Sequence, residues 1–275
     1  MARAIGWVLR QVNAESADVI RANLRQCFPD CSPQETEQLM ERRLVHMALL
    51  FFEFAHLRYW NTDRLLQQIK AINGGDMLTQ ALRNPQGVLL LVPHFGNWEI
   101  LCAHLGHHYK LGALYDPPKL RGLEAAIIAA RQRHNGRMFR IDAGGMRGLL
   151  KFMGQGKVVA VLPDQVPDRS AGVYVPFFGQ PALTMTLTHR LISKHNPTVL
   201  LGSVRRSNLA EGLAYTISFE ALPETVYSAD PETCVATINT EIERVVRQAP
   251  EQYQWEYKRF KRPPGALGTN IYRRQ

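Results

Sequence analysis

The sequence predicts an α/β fold with a mostly parallel central sheet flanked by helices, preceded by a helical N-terminal region over residues 1–85. Three observations carry this expectation. The first 85 residues show helical spacing of their apolar positions. From residue 87 onward, short apolar runs alternate with amphipathic stretches, as strands and crossover helices do in a parallel sheet. The runs GVLLLVP (87–93) and KVVAVLP (157–163) are apolar without alternation, the mark of strands covered on both faces.

The elements follow in order. Met40, Leu44, Met47, Phe51 and Phe54 recur at spacings of four and three, which is one helical face. Ser32 and Pro33 precede that helix, and Glu35 and Glu37 suit its first turn. The most apolar stretch, Met47 to Trp60, is interrupted by Glu53, His56 and Arg58 and reads as an amphipathic helix burying one face. After the strand at 87–93 come a helix over 97–110, a strand at 112–116, a helix over 121–134, a strand at 137–142, a helix over 146–154 and the strand at 157–163. Residues 164–182, rich in Pro and Gly, read as a long loop of the kind that often carries function. Strands at 197–206 and 214–220 follow. A helix over 232–248 sets Val235, Ile238, Ile242, Val245 and Val246 on one stripe. There is no internal repeat, and the length of 275 residues suits a single domain over 1–275, with residues 86–275 as its α/β core.

Composition narrows the class. Hydrophobic residues at 45% and charged residues at 21% are ordinary globular usage, which excludes wholesale disorder. Lys and Arg number 33 against 24 Asp and Glu, so the surface attracts anions. The cysteines, Cys27, Cys31, Cys102 and Cys234, fit no zinc spacing and read as reduced thiols. No run of about 18 apolar residues marks a transmembrane helix. The segment MARAIGWVLRQV is too short and too broken by Arg for a signal peptide, and reads as an interfacial anchor or the remnant of a longer one.

The segment His94-Phe95-Gly96-Asn97-Trp98-Glu99 directly follows a buried strand, where open α/β sheets bind their ligands. Gly96 permits a tight turn, Asn97 is a good N-cap, and Glu99 falls in the first helical turn, where the helix dipole favours its charge. A carboxylate there can accept a hydrogen bond from one imidazole nitrogen and leave the other free as a general base. Spacing alone equally allows a His–Glu pair that only braces the turn. His104, His107 and His108 share a helix face, but no carboxylate at suitable spacing supports a metal site, and none is expected. Phe177 and Phe178 lie in the Pro- and Gly-rich stretch and can line an apolar groove, dip into lipid or pack in the core. Lys258, Arg259, Lys261 and Arg262 lie among aromatics and suit an anionic lipid surface. No helix-turn-helix, RNA-recognition or zinc-finger pattern points to nucleic acid.

VPHFGNWEI closely resembles the H-x4-D/E block of the lipid A late acyltransferases, the lauroyl and myristoyl transferases of lipopolysaccharide biosynthesis. Related bacterial enzymes that acylate phosphatidylinositol mannosides share the block. LPDQ (162–165) with VYVPFFGQPA (173–182), PEQYQWEYKRFKRPPG (250–265) and RANLRQCFPDCSPQE (21–35) resemble the same family. The resemblance implies a glycerolipid-acyltransferase-like fold. It implies His94 as general base and Glu99 as its partner, with no metal, no cofactor and no covalent acyl-enzyme. Acyl carrier protein would be the acyl donor, and a lipid A precursor in the membrane the acceptor. A glycerolipid, glycolipid or ornithine-type lipid is the alternative acceptor, and a non-catalytic basic lipid-binding module the alternative class. Asp164 and Gln165 match the family's D-Q/H block and are expected at the substrate. Arg131 and Arg133 both lie where the family has a functional arginine, and the residues do not choose between them. The implied location is the cytoplasmic face of the bacterial inner membrane, against an anionic surface, either peripherally or through an N-terminal anchor missing from this chain.

Overall fold

The computed structural model describes residues 14–115, 128–129, 132, 135–207, 212–265 and 271–272. Its helices, in chain order, are α1 (Ala14–Cys27), α2 (Pro33–Tyr59), α3 (Thr62–Leu66), α4 (Gly75–Ala81), α5 (Trp98–His108), α6 (Ala143–Met153), α7 (Leu187–His195) and α8 (Pro231–Gln248). The strands are β1 (Ile69–Asn73), β2 (Val88–Leu91), β3 (Leu111–Tyr115), β4 (Arg137–Arg140), β5 (Val158–Val161), β6 (Gly172–Phe177), β7 (Gln180–Met185), β8 (Thr198–Arg206) and β9 (Tyr215–Ala221). The chain divides into two units built from separated segments. One holds Met1–Phe51, Pro163–His189 and Pro223–Gln275, and the other holds Phe52–Leu162 and Arg190–Leu222.

The second unit is the α/β core. Its seven-stranded sheet runs β1-β9-β8-β2-β5-β3-β4. All neighbours are parallel except β8 and β9. Every residue of β2 and of β5 is buried, which is why both read as unbroken apolar runs. Helix α5 packs on β8 and β3, and α6 packs on β3, β4 and β5. From β2 the chain passes to β3 on one side of the sheet, and from β5 it passes to β8 on the other. The carboxyl ends of this central pair therefore form a topological switch point, where α/β sheets open a crevice.

In the first unit, β6 and β7 form an antiparallel hairpin against which α8 packs. The stripe expected on α8 is buried from Val235 to Val246. Helix α2 begins with a capping box: the Glu35 carboxylate accepts from the Ser32 N–H at 2.8 Å, and the Ser32 hydroxyl accepts from the Glu35 N–H at 3.3 Å. Met40 and Leu44 are fully buried on the expected face. Arg43, also buried, makes a bidentate pair with Glu256 at 2.7 and 2.8 Å.

Three sequence expectations are corrected. Residues 164–182 are not one loop, because β6 and β7 occupy residues 172–185. Phe178 and Gly179, both at positive φ, make the two-residue turn that joins them. The prolines that suggested a loop, Pro176 and Pro181, lie opposite each other, so both missing N–H donors fall on one rung. The second correction is that the N-terminal 85 residues are not all helical. They contain β1, an edge strand with four of its five residues exposed, which leaves no hydrophobic alternation to detect. The third concerns boundaries: α6 starts at Ala143, earlier than expected, because Asp142 caps it by accepting from the Gly145 N–H at 2.8 Å. The helix expected over 121–134 falls almost entirely outside the described residues.

His104 of α5 is buried in this core. Burial, then the neighbouring His108 and His107, push its pKa down to about 4. The folded state thus prefers the neutral ring, whereas an unfolded chain protonates it near pH 6.5. The contribution of His104 is intact above that pH and is lost as the pH falls toward 4. Thermal melts at pH 7.5 and pH 5 should show a drop in Tm for the wild type and a smaller drop for His104→Leu.

Candidate active site

The candidate site begins where β2 stops pairing. The Val92 N–H donates to the Val161 carbonyl at 2.9 Å and continues the ladder by one residue. Pro93 has no N–H to offer, and the chain turns at once, with the Phe95 N–H donating to the Pro93 carbonyl at 2.7 Å. Gly96 has φ +60°, and a Cβ built there would lie 1.6 Å from the Val204 carbonyl oxygen of β8. Only glycine can occupy that position. Phe95 and Asn97 are buried on either side of it, while His94, Trp98 and Glu99 are half-buried. The turn is thereby anchored on residues 95–97 and leaves His94 partly open to solvent.

Asn97 caps α5 as its sequence position suggested. Its side-chain oxygen accepts from the Ile100 N–H at 3.4 Å. Glu99 then falls in the first turn of α5, five residues after His94, at the carboxyl end of the sheet's central strand. The His94 ring meets Trp98 edge to face, with centroids 5.0 Å apart and planes at 67°.

Behind the turn lies a buried polar network. The Asn97 amide nitrogen donates to the Tyr215 hydroxyl at 3.4 Å, and that hydroxyl donates to Glu53 Oε1 at 3.0 Å. Arg206 donates from Nε and Nη2 to the two Glu53 oxygens, each at 2.5 Å. Glu53 and Arg206 are each 2% exposed, so this is a fully desolvated bidentate pair. Burial, reinforced by the Glu53 charge, pushes the Tyr215 phenol well above its ordinary pKa and keeps it a donor. The network joins the end of α2, the ends of β8 and β9, and the cap of α5. A half-open imidazole on a turn held this firmly, with a carboxylate on the next helical turn, is equipped for proton transfer.

The other expected site residues fall as follows. Asp164 and Gln165 belong to the first unit. Asp164 is buried and hydrogen-bonded to Tyr253, whose phenol is pushed up first by burial and then by the Asp164 charge. Gln165 is half-buried and donates to Gln254 at 3.2 Å. Arg131 and Arg133 lie outside the described residues. Phe177 and Phe178 pack in the core of the first unit, edge to face with each other at 5.0 Å between centroids. Arg259 is buried as well and donates to the Leu183 carbonyl at 2.7 Å, so it is not part of a solvated basic face. The residues that sequence reasoning missed are Glu53, Arg206 and Tyr215. The signal for Glu53 was present as a carboxylate in the middle of the most apolar helical stretch, but it read as an interruption.

The sequence profile described as "Bacterial lipid A biosynthesis acyltransferase" matches residues 1–262. The chain belongs to that family. It is an acyltransferase, as the H-x4-E block and its three companion segments had suggested. Among its curated relatives, the lipid A biosynthesis palmitoleoyltransferase of Escherichia coli K12 is 26% identical over 97% of this chain and 86% of its own. The lauroyltransferase of the same organism is 25% identical over 90% of this chain and 80% of its own. Its myristoyltransferase is 24% identical over 89% and 75%. No helix among the described residues is long and apolar enough to cross a membrane.

Two outcomes test this site. Glu53→Ala or Arg206→Ala, either of which strands one buried charge, should cost about 3–5 kcal/mol in chemical denaturation. Replacing both with apolar residues of similar volume should recover most of that loss. Gly96→Ala should lower stability and abolish activity together, because the clash is with backbone that cannot move aside.

Proposed function

We propose that the protein transfers a fatty acyl chain from an acyl carrier protein thioester to a hydroxyl of a lipid A precursor, with His94 as general base and Glu99 orienting it. The observation that carries this reading is the His94 turn: a half-open imidazole at the carboxyl end of a fully buried central strand, on a backbone that admits only glycine at Gly96. Family membership and the activities of the relatives support the acceptor class.

The chemistry is a direct transfer. One His94 nitrogen takes the proton from the acceptor hydroxyl as its oxygen attacks the thioester carbonyl. The C–S bond then breaks, and the departing sulfur receives that proton from the imidazolium. No acyl group rests on the enzyme. Glu99, by accepting from the other ring nitrogen, fixes the tautomer and stabilises the imidazolium while it exists. Asp164, which is engaged with Tyr253, and Gln165 serve substrate binding in this reading. Arg131 or Arg133 supplies a guanidinium to the oxyanion or to an acceptor phosphate. The formal charge of +9 suits an acidic carrier and a phosphorylated acceptor.

Purified protein should acylate a lipid A precursor from acyl carrier protein thioesters and leave phospholipid acceptors unchanged. His94→Ala and Glu99→Ala should each lose turnover by about 10²–10⁴-fold while melting near the wild type. Wild-type turnover in His94→Ala would overturn the mechanism. Acylation of a phospholipid in place of lipid A would overturn the acceptor.

A further inference from the structure

We propose that the carboxyl-terminal end of α2, continued by Trp60 and Arg64, is the surface by which the protein lies on an anionic phospholipid bilayer. The inference rests on the reading that its acceptor is a membrane lipid, and it adds the surface that meets the membrane.

Phe52 is 69% exposed and Tyr59 is 74% exposed, the highest values among large hydrophobic side chains in the described residues. Ala55, also exposed, lies between them. Positions 52, 55 and 59 fall on one face of a helix. The opposite face of the same segment carries Glu53 and Leu57, both buried. This part of α2 therefore has an inner side committed to the core and an outer side that shows aromatic surface to water.

The polar groups around that outer side fit a phospholipid interface. The Arg58 guanidinium lies over the Tyr59 ring at 5.4 Å, and the Arg64 guanidinium over the Trp60 ring at 4.1 Å. Trp60 is stacked on His56, with centroids 3.9 Å apart and planes at 15°. Lys70 and Asp63 are exposed in the chain that follows. Aromatic rings at the head-group level with arginines reaching phosphate are the composition of an interfacial helix. Of the two carboxylates in this stretch, Asp63 is exposed, and Glu53 is turned inward and paired with Arg206. Nucleic acid would also engage arginine and aromatics, but it has no use for the exposed Phe52 and Ala55.

The placement has a functional sense. Glu53 also accepts from Tyr215, which holds the Asn97 cap of the His94 turn. A helix segment that rests on lipid through Phe52 and Tyr59 is thus tied on its inner side to the residues that carry the base. Membrane contact would hold the site at a set distance from a lipid acceptor.

The test is partition of the full chain onto phosphatidylcholine vesicles with and without phosphatidylglycerol. The double variant Phe52→Ser/Tyr59→Ser should melt as the wild type does and bind the anionic vesicles about 10-fold less tightly or worse. Arg58→Gln/Arg64→Gln should remove about 10-fold of the gain that phosphatidylglycerol confers. Unchanged partition of both double variants overturns the proposal. So does a wild-type dimer that Phe52→Ser/Tyr59→Ser converts to monomer without altering vesicle binding, since the face would then meet a second copy. Both double variants should retain turnover on a detergent-dispersed acceptor. A wild type inactive on that acceptor while still bound to vesicles would reject the acyl-transfer reading and leave the docking surface standing.

Discussion

Glu53 and Arg206 meet in the interior of the α/β unit, and four pieces of chain are held by that meeting. The carboxylate binds the guanidinium through two hydrogen bonds and also accepts from Tyr215, which in turn receives a donor from Asn97. A buried ion pair is not in itself a source of net stability, because removing two charges from water offsets most of their attraction. What it supplies here is position. Each partner is costly in the core without the other, so the end of α2, the ends of β8 and β9, and the cap of α5 are held in the arrangement that brings these groups together. The turn bearing His94 inherits that arrangement.

The α/β core was legible because strands buried on both faces leave no polar positions. Val88–Leu91 and Val158–Val161 appear in the sequence as they appear in the sheet, as apolar runs bounded by turn residues. Helix α8 was legible for the complementary reason, since its buried stripe recurs at the helical period. The hairpin of β6 and β7 was hidden by prolines, whose effect depends on the partner opposite, and a single sequence does not show that partner. Strand β1 was hidden by exposure, because it is held through backbone pairing with β9 and not by a buried face.

The site divides along the same line. His94, Gly96, Asn97 and Glu99 sit within six residues, and their local roles follow from strand end, turn, cap and first helical turn. The network that fixes them draws on Glu53, Arg206 and Tyr215, which are distant in sequence, and tertiary pairing of that kind leaves no spacing to read. Asp164 illustrates the opposite case. Its motif was visible, but its engagement with the fully interior Tyr253 was not. The sequence marked candidate residues for the chemistry and did not show how firmly the fold grips them.

The separation of Glu53 from Arg206 by 153 residues also sets an order of events during synthesis. At ribosomal speeds of about 5–20 residues per second, the helix bearing Glu53 emerges roughly 8–30 s before its guanidinium exists. During that interval the carboxylate has no guanidinium to pair with, and burying it alone is costly. The strands β2 to β5 can pair meanwhile, but the contacts of Glu53 with Arg206 and Tyr215 wait for β8 and β9. A carboxylate that the finished interior tolerates only beside Arg206 thus has no buried partner until β8 has been made.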